Sequence, residues 1–255
     1  MKRCQSRCPQ EAQGFRRGFT LVELLVVVAV MAVLAGLLLP ALGRARRAGS
    51  GARCVSNLHQ YALAAHLYWD DSNGRAFPER GAYSRGGWQY WFGWLEDGEE
   101  GRRTFIPEAG CLWRYLGARP VAWCPSLDRA SARFKAKADG AASGYAYNQL
   151  LGPRDGPVVR VSQLASPGEV AVFADAAQVN DFQPPATPEQ PLLEEFYYFG
   201  TNRLEATIHF RHGERAQAAY ADGHVGAERV EVGSLDDRVP GHRVGRIRPE
   251  RVVPR

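Results

Sequence analysis

From Phe19 to Leu42 the chain reads FTLVELLVVVAVMAVLAGLLLPAL, 24 residues with a single ionisable group. A run this long and apolar is enough for a helix to cross a hydrocarbon layer of roughly 30 Å. Arg44, Arg46 and Arg47 end it sharply, and Arg16 and Arg17 stand just before it. With charge on both flanks, the positive-inside tendency alone does not set the orientation.

Glu23 is the one charge in that run. A carboxylate five positions into a membrane span costs a few kcal/mol unless it snorkels to the interface or meets a compensating charge. The residues around it favour the second alternative. Gly18, Phe19, Thr20, Leu21, Val22 and Glu23 closely resemble the cleavage and methylation site of type IV prepilins and type II secretion pseudopilins. That resemblance implies that an inner-membrane prepilin peptidase cuts between Gly18 and Phe19 and N-methylates Phe19. It also implies that Glu23 lies near the amine of a neighbouring subunit, where two otherwise unpaired charges neutralise each other and set the axial stagger. Pro40 falls where the family commonly places a kinking proline. An ordinary secretory signal would instead be cut near Ala41-Leu42-Gly43, but Glu23 interrupts its apolar core and 24 residues exceed the usual 7–15.

The net charge of +5 is unevenly placed. Residues 1–18 carry five basic groups against Glu11, and residues 238–255 carry six arginines against Glu250, which leaves the intervening body at −4. No internal basic stripe stands ready for phosphates, so nucleic acid is not an expected partner. Of the five cysteines, Cys4 and Cys8 belong to the leader. Cys54, Cys111 and Cys124 remain, and an exported chain can bridge one pair of them. Cys111–Cys124 closes a short loop, and Cys54–Cys124 is equally allowed.

Beyond a soft spot at Gly49-Ser50-Gly51, apolar residues recur at Val55, Leu58, Ala62, Ala65 and Trp69, the spacing of an amphipathic helix. His59 and His66 fall off the stripe and read as solvated or half-buried residues. Asn73-Gly74 supplies the left-handed turn that ends the helix. An EF-hand starting at Asp70 or Asp71 fails, since the position for its bidentate glutamate holds Gly81 or Ala82.

The following region gathers Tyr83, Trp88, Tyr90, Trp91, Phe92 and Trp94. Such a group packs a small core or stacks on a sugar, and core packing is the favoured reading. Short strands are expected at 121–124, 145–148, 170–174, 207–210, 216–221 and 224–232, the last two joined at Asp222-Gly223. Pro184, Pro185, Pro188 and Pro191 mark residues 178–195 as a surface loop unsuited to sheet pairing. The Arg-, Gly- and Pro-rich residues 236–255 read as a disordered basic tail.

The likeness reaches past the leader. Residues 53–78, with Cys54, Asn57-Leu58, Gln60 and a Tyr68-to-Asp71 turn, are similar to the helix and first loop of a large bacterial group of prepilin-type proteins. Leu116-Gly117, Cys124-Pro125-Ser126 and Tyr145-Ala146-Tyr147-Asn148 are similar too. His212, nine residues, then Asp222-Gly223 resembles the H-X9-DG signature of that group's C-terminal domain. A catalytic role for His212 and Asp222 lacks a partner, because no Gly-x-Ser-x-Gly, His-Glu-x-x-His or phosphate loop is present, and no enzyme is expected. The favoured reading is structural, with His212 bonding the hairpin that Asp222-Gly223 turns. Two apolar strands end in Ala-Asp, at Asp175 and Asp222. Were those ends adjacent, the pair of carboxylates would suit calcium. Zinc on His209, His212 and His224 is disfavoured, since alternation sets His209 and His212 on opposite faces.

The expectation is therefore an α+β, pilin-like fold: a leader (1–18), a membrane-spanning helix (19–42), its amphipathic continuation (43–74), a periplasmic domain (75–235) on a small antiparallel sheet, and the tail. Its role would be that of a structural subunit with a prepilin peptidase and other pseudopilin subunits as partners. The alternative is a tethered protein that binds polysaccharide and never polymerises.

Overall fold

A computed structural model describes residues 20–139, 143–202, 206–239 and 241–254. Gly18, Phe19 and the leader lie outside the described residues. Contacts divide the chain into two units, residues 1–46 and 47–255. Helix α1 runs Leu21–Asp71 and contains Pro40. It also passes through Gly49 and Gly51, where the sequence suggested a bend or break.

In the first unit the leucines and valines from Leu21 to Leu42 are all exposed, Leu21 at 81% and Leu37 at 70%. The helix is long and apolar enough to cross a membrane, and none of its apolar window is buried within the protein. A helix that is hydrophobic all round needs an apolar surrounding, which the described residues do not supply.

The second unit begins with the remainder of α1. Cys54, Leu58, Tyr61, Ala62, Ala65 and Trp69 are buried along one stripe. Asn73 and Gly74 take positive φ, and the Gly74 N–H bonds the Trp69 carbonyl at 2.7 Å, closing the helix at the expected turn. Next come β1 (Arg80–Ser84), β2 (Gly87–Tyr90), β3 (Gly93–Glu96) and β4 (Phe105–Ile106), a four-stranded antiparallel meander. The chain continues with β5 (Phe134–Lys135), β6 (Tyr145–Asn148), β7 (Ala171–Asp175), β8 (Gln178–Asn180), β9 (Leu192–Glu194) and β10 (Tyr198–Phe199). Last come β11 (Ile208–His209), β12 (Arg215–Tyr220), β13 (Val225–Arg229) and β14 (Val244–Gly245). The principal sheet has the order β10-β6-β7-β12-β13; β10 pairs parallel with β6, and every other pair is antiparallel. The whole is an α+β arrangement of the pilin-like kind.

That sheet is covered on both faces. Tyr145, Tyr147, Phe173 and Ala219 meet the stripe of α1, with the Tyr61 ring 5.1 Å from Trp91 and 5.3 Å from Phe173. Ala146, Ala174, Ala218 and Tyr220 form the second face and pack with Ile208, Ile247 and Val252. The expected disordered tail is thus corrected: residues 244–245 pair with β11, and Asn148 donates to the Val252 carbonyl at 2.7 Å. The alanine-rich second face needs a cover, and Ile247 and Val252 of the tail help provide it, while Val239 and Val244 are buried in a third cluster with Leu127, Val179 and Leu193. The tail's arginines meet carboxylates of the acidic body: Arg238 with Asp181, Arg243 with Glu214, Arg246 with Glu231 and Arg251 with Glu169, at 2.7–3.0 Å.

Two further expectations change. The proline-rich loop does not stay clear of the sheets, because its ends are β8 and β9, which pair with each other, and β9 also pairs with β5; the prolines occupy the excursion between them. Residues 121–124 form no strand. The aromatic group divides: Trp91 and Phe92 are buried, Trp88 is covered by the Arg80 guanidinium 3.7 Å from its ring, and Tyr83 is half exposed.

Candidate functional site

At the start of α1, Thr20 and Glu23 cap the helix reciprocally. The Thr20 N–H donates to Glu23 Oε2 at 2.8 Å, the Thr20 hydroxyl donates to the same oxygen at 2.7 Å, and the Glu23 N–H donates to Thr20 Oγ1 at 3.2 Å. This capping box satisfies backbone donors that a helix end leaves orphaned. The carboxylate therefore has a local partner within its own chain, one turn from an all-apolar surface.

In the second unit, Asp222-Gly223 makes the β12–β13 turn as expected: Gly223 has φ +92° and the Gly223 N–H bonds the Tyr220 carbonyl. His212 is not part of it. The full length of β12 separates His212 from Asp222, and the Asp222 carboxylate instead meets His224 Nδ1 at 2.6 Å. The His212 backbone pairs with Arg215 across a turn containing Gly213 and Glu214, both at positive φ. The calcium pairing of Asp175 with Asp222 is corrected by the same geometry. The strands β7 and β12 are neighbours but antiparallel, with Ala174 opposite Ala218 and Ala171 opposite Tyr220, so the two Ala-Asp ends lie at opposite ends of the pair.

What His212 and Asp175 do share is a buried cluster with two cysteines (Cys54 from α1 and Cys124 from the loop before β5). The ligand atoms of these four side chains all lie within 4.8 Å of one another. The Cys54 thiol donates to Asp175 Oδ1 at 2.8 Å. His212 Nε2 stands 3.2 Å from Cys124 Sγ and 3.3 Å from Asp175 Oδ2. Asn57, one turn beyond Cys54, brings the loop in by donating to the Ala122 carbonyl at 2.6 Å. It also donates to the Tyr145 hydroxyl at 2.8 Å. Arg211, buried beside the cluster, donates to Asp175 Oδ1 and to the Gly144 carbonyl, each at 2.6 Å, and the Gln217 N–H donates to Asp175 Oδ2 at 2.8 Å. Both carboxylate oxygens are thus held in place from outside the cluster.

The electrostatics follow from burial set against these contacts. Burial would raise the Asp175 carboxyl, but Arg211 and the bonds from His212 and Cys54 bring it down to about 2. Burial would lower His212, yet Asp175 and Cys124 raise it to about 9. His209, buried and close to Arg211, is pushed well below the ordinary imidazole range. Burial drives the Cys54 thiol upward, whereas bonding from Cys54, against the opposing pull of burial, lowers Cys124.

The cysteine expectation is corrected accordingly. Cys54, Cys111 and Cys124 are free thiols; Cys111 lies against the Trp91 carbonyl, away from Cys124, whose neighbour is Cys54. In the sequence Cys54 stood out only as an alternative bridging partner for Cys124, and Arg211 did not stand out at all. A signal was present, since Cys54, Cys124 and His212 each sit in a segment read as an island of resemblance, but separations of 70, 51 and 37 residues between successive members match no short ligand motif.

Residues 15–39 match the family model described as the prokaryotic N-terminal methylation motif. No curated protein and no solved structure matches the chain. The motif together with the exposed apolar helix describes a membrane-anchored chain of the type IV pilin-like kind, a substrate for prepilin peptidase whose motif is that of structural subunits.

Proposed function

We propose that this chain is a pseudopilin-like structural subunit of a type II secretion or type IV pilus-related system. Prepilin peptidase cuts between Gly18 and Phe19 and methylates Phe19. The apolar half of α1 then spans the inner membrane once, with the second unit in the periplasm, and neighbouring subunits join through that helix. The observation that carries this reading is the coincidence of the methylation motif with an apolar surface that nothing among the described residues covers. Burying such a surface against like helices and lipid is the ordinary route to its stability in a membrane. Glu23 fits the scheme because its partner Thr20 is local and exposed, so a neighbour's amine can replace or share that bond. The His212-to-Asp222-Gly223 spacing fits the H-X9-DG group, whose domain would form the exposed surface of the assembly.

Two measurements test the proposal. Gly18→Val blocks maturation, and a precursor of that variant processed as fast as wild type contradicts the peptidase assignment. A cysteine introduced at Val30 gives oxidative cross-links between subunits in membranes, and Glu23→Ala diminishes them. Normal processing without any cross-link contradicts assembly and supports the tethered, non-polymerising alternative.

A further inference from the structure

The buried cluster has a composition that hydrogen bonding alone does not explain. His212 Nε2 offers one proton or one lone pair, yet it faces both Cys124 Sγ at 3.2 Å and Asp175 Oδ2 at 3.3 Å. Cys54 Sγ reaches the same cluster, 2.8 Å from Asp175 Oδ1. Four side chains from four separated segments therefore aim two sulfurs, one imidazole nitrogen and one carboxylate at a common centre. Cys54 and Asp175 are fully buried, Cys124 is 1% exposed, and the His212 side chain is 7% exposed.

We infer that Cys54, Cys124, Asp175 and His212 bind one zinc ion as a closed structural site. Sulfur donors disfavour calcium and magnesium, which take oxygen, and a four-ligand set of thiolate, imidazole and carboxylate is the chemistry of tetrahedral zinc. Zinc–ligand bonds of about 2.0–2.3 Å set ligand atoms roughly 3.3–3.8 Å apart in a tetrahedron. The cluster's mutual limit of 4.8 Å lies within a small adjustment of that size. Two thiolates and one carboxylate beside the Arg211 guanidinium leave two negative charges, which one dication cancels. Arg211 and the Gln217 N–H already fix the carboxylate from behind, the outer support that orients a metal ligand. A Cys54–Cys124 disulfide is the competing use of two neighbouring thiols in an exported domain. It would carry no charge and would leave the convergence of His212 and Asp175 without a purpose.

The ion would pin α1 to the end of β7, to the loop at Cys124 and to the turn before β12, elements up to 158 residues apart in the chain. The inference does not depend on whether the subunit polymerises.

The test uses the full chain in mild detergent. Metal analysis and thiol counting are made as isolated, then titration with zinc alone and cobalt alone after chelation and reduction. About one zinc per chain is expected, and cobalt should give the intense visible bands of a tetrahedral thiolate site. Cys54→Ser and Cys124→Ser weaken binding by at least about 100-fold, while Cys111→Ser leaves it unchanged. His212→Cys keeps cobalt with a stronger sulfur charge-transfer band, whereas His212→Ala loses it. If a variant fails to fold, the wild-type cobalt spectrum still decides. A Cys54–Cys124 disulfide in the isolated chain that, once reduced, takes up neither metal would overturn the inference. So would zinc binding that survives both Cys54→Ser and Cys124→Ser.

Discussion

Leu34 and Leu58 lie on the same helix, 24 residues apart, and meet opposite surroundings: Leu34 is 54% exposed and Leu58 is fully buried. Every large apolar side chain from Leu21 to Leu42 behaves like Leu34. From Cys54 to Trp69 only one stripe is apolar and buried, and Leu63 and Leu67 remain outside it. The first half is uniformly hydrophobic, and the described residues leave it uncovered. The second half is patterned because the sheet covers one side of it. A single element thus carries two folding instructions, and each can be disturbed without the other.

Acid separates the two halves most sharply. Glu194 is fully buried between Lys137, at 2.9 Å, and Lys135, at 3.3 Å. Burial opposes its ionisation, but Lys137 and the Gln178 hydrogen bond hold its folded pKa below the ordinary 4.5. A depressed carboxylate contributes stability that is present above its unfolded value and lost as pH falls through the folded one. Denaturant midpoints of the head should therefore fall on acidification below about 4.5, while membrane association of the apolar half persists. Glu194→Ala takes the paired carboxylate from the buried Lys137, while Lys135 keeps Glu100, and should cost about 3–5 kcal/mol in urea unfolding at neutral pH. A loss below about 1 kcal/mol would mean that the pair is solvated.

Leu58→Ala should destabilise the head by about 3 kcal/mol, through lost transfer energy and a cavity against the sheet. Leu34→Ala in the same assay should change its unfolding by less than about 0.5 kcal/mol. Equal effects would erase the distinction between the halves. The reverse experiment adds charge. Leu34→Arg costs about 3 kcal/mol of membrane insertion and should shift protein out of the membrane fraction, whereas Leu63→Arg, on the exposed side of the head, should be neutral in both assays. The smallest effect belongs to the helix start. Thr20→Ala removes one side of the capping box and should reduce helix stability there by about 1 kcal/mol, read as faster amide exchange in the first turn.

The apolar run, the stripe from Leu58 to Trp69 and the Asp222-Gly223 hairpin were legible in sequence because each depends on neighbours within a few residues. The tail was not. Val239, Val244, Ile247 and Val252 have no period; Ile247 and Val252 are buried against an alanine-rich sheet face built from β6, β7 and β12, and Val239 and Val244 in a separate cluster with Val179 and Leu193. Its arginines signalled disorder through their number, although the acidic body offered their partners. The cluster was hidden for a similar reason. Cys54, Cys124, Asp175 and His212 meet only after the helix packs and β7 and β12 pair antiparallel, and the same pairing direction parts Asp175 from Asp222. Local pattern predicts elements; which ends come together is decided by strand direction.

Under the proposed function, the apolar half of α1 becomes the mature N-terminus of a membrane-anchored subunit. Mass spectrometry of the N-terminal peptide from membrane-fraction protein tests it most directly. The peptide should begin at Phe19 and carry one added methyl group. A mature chain beginning after Leu42, with the apolar run removed, would contradict it.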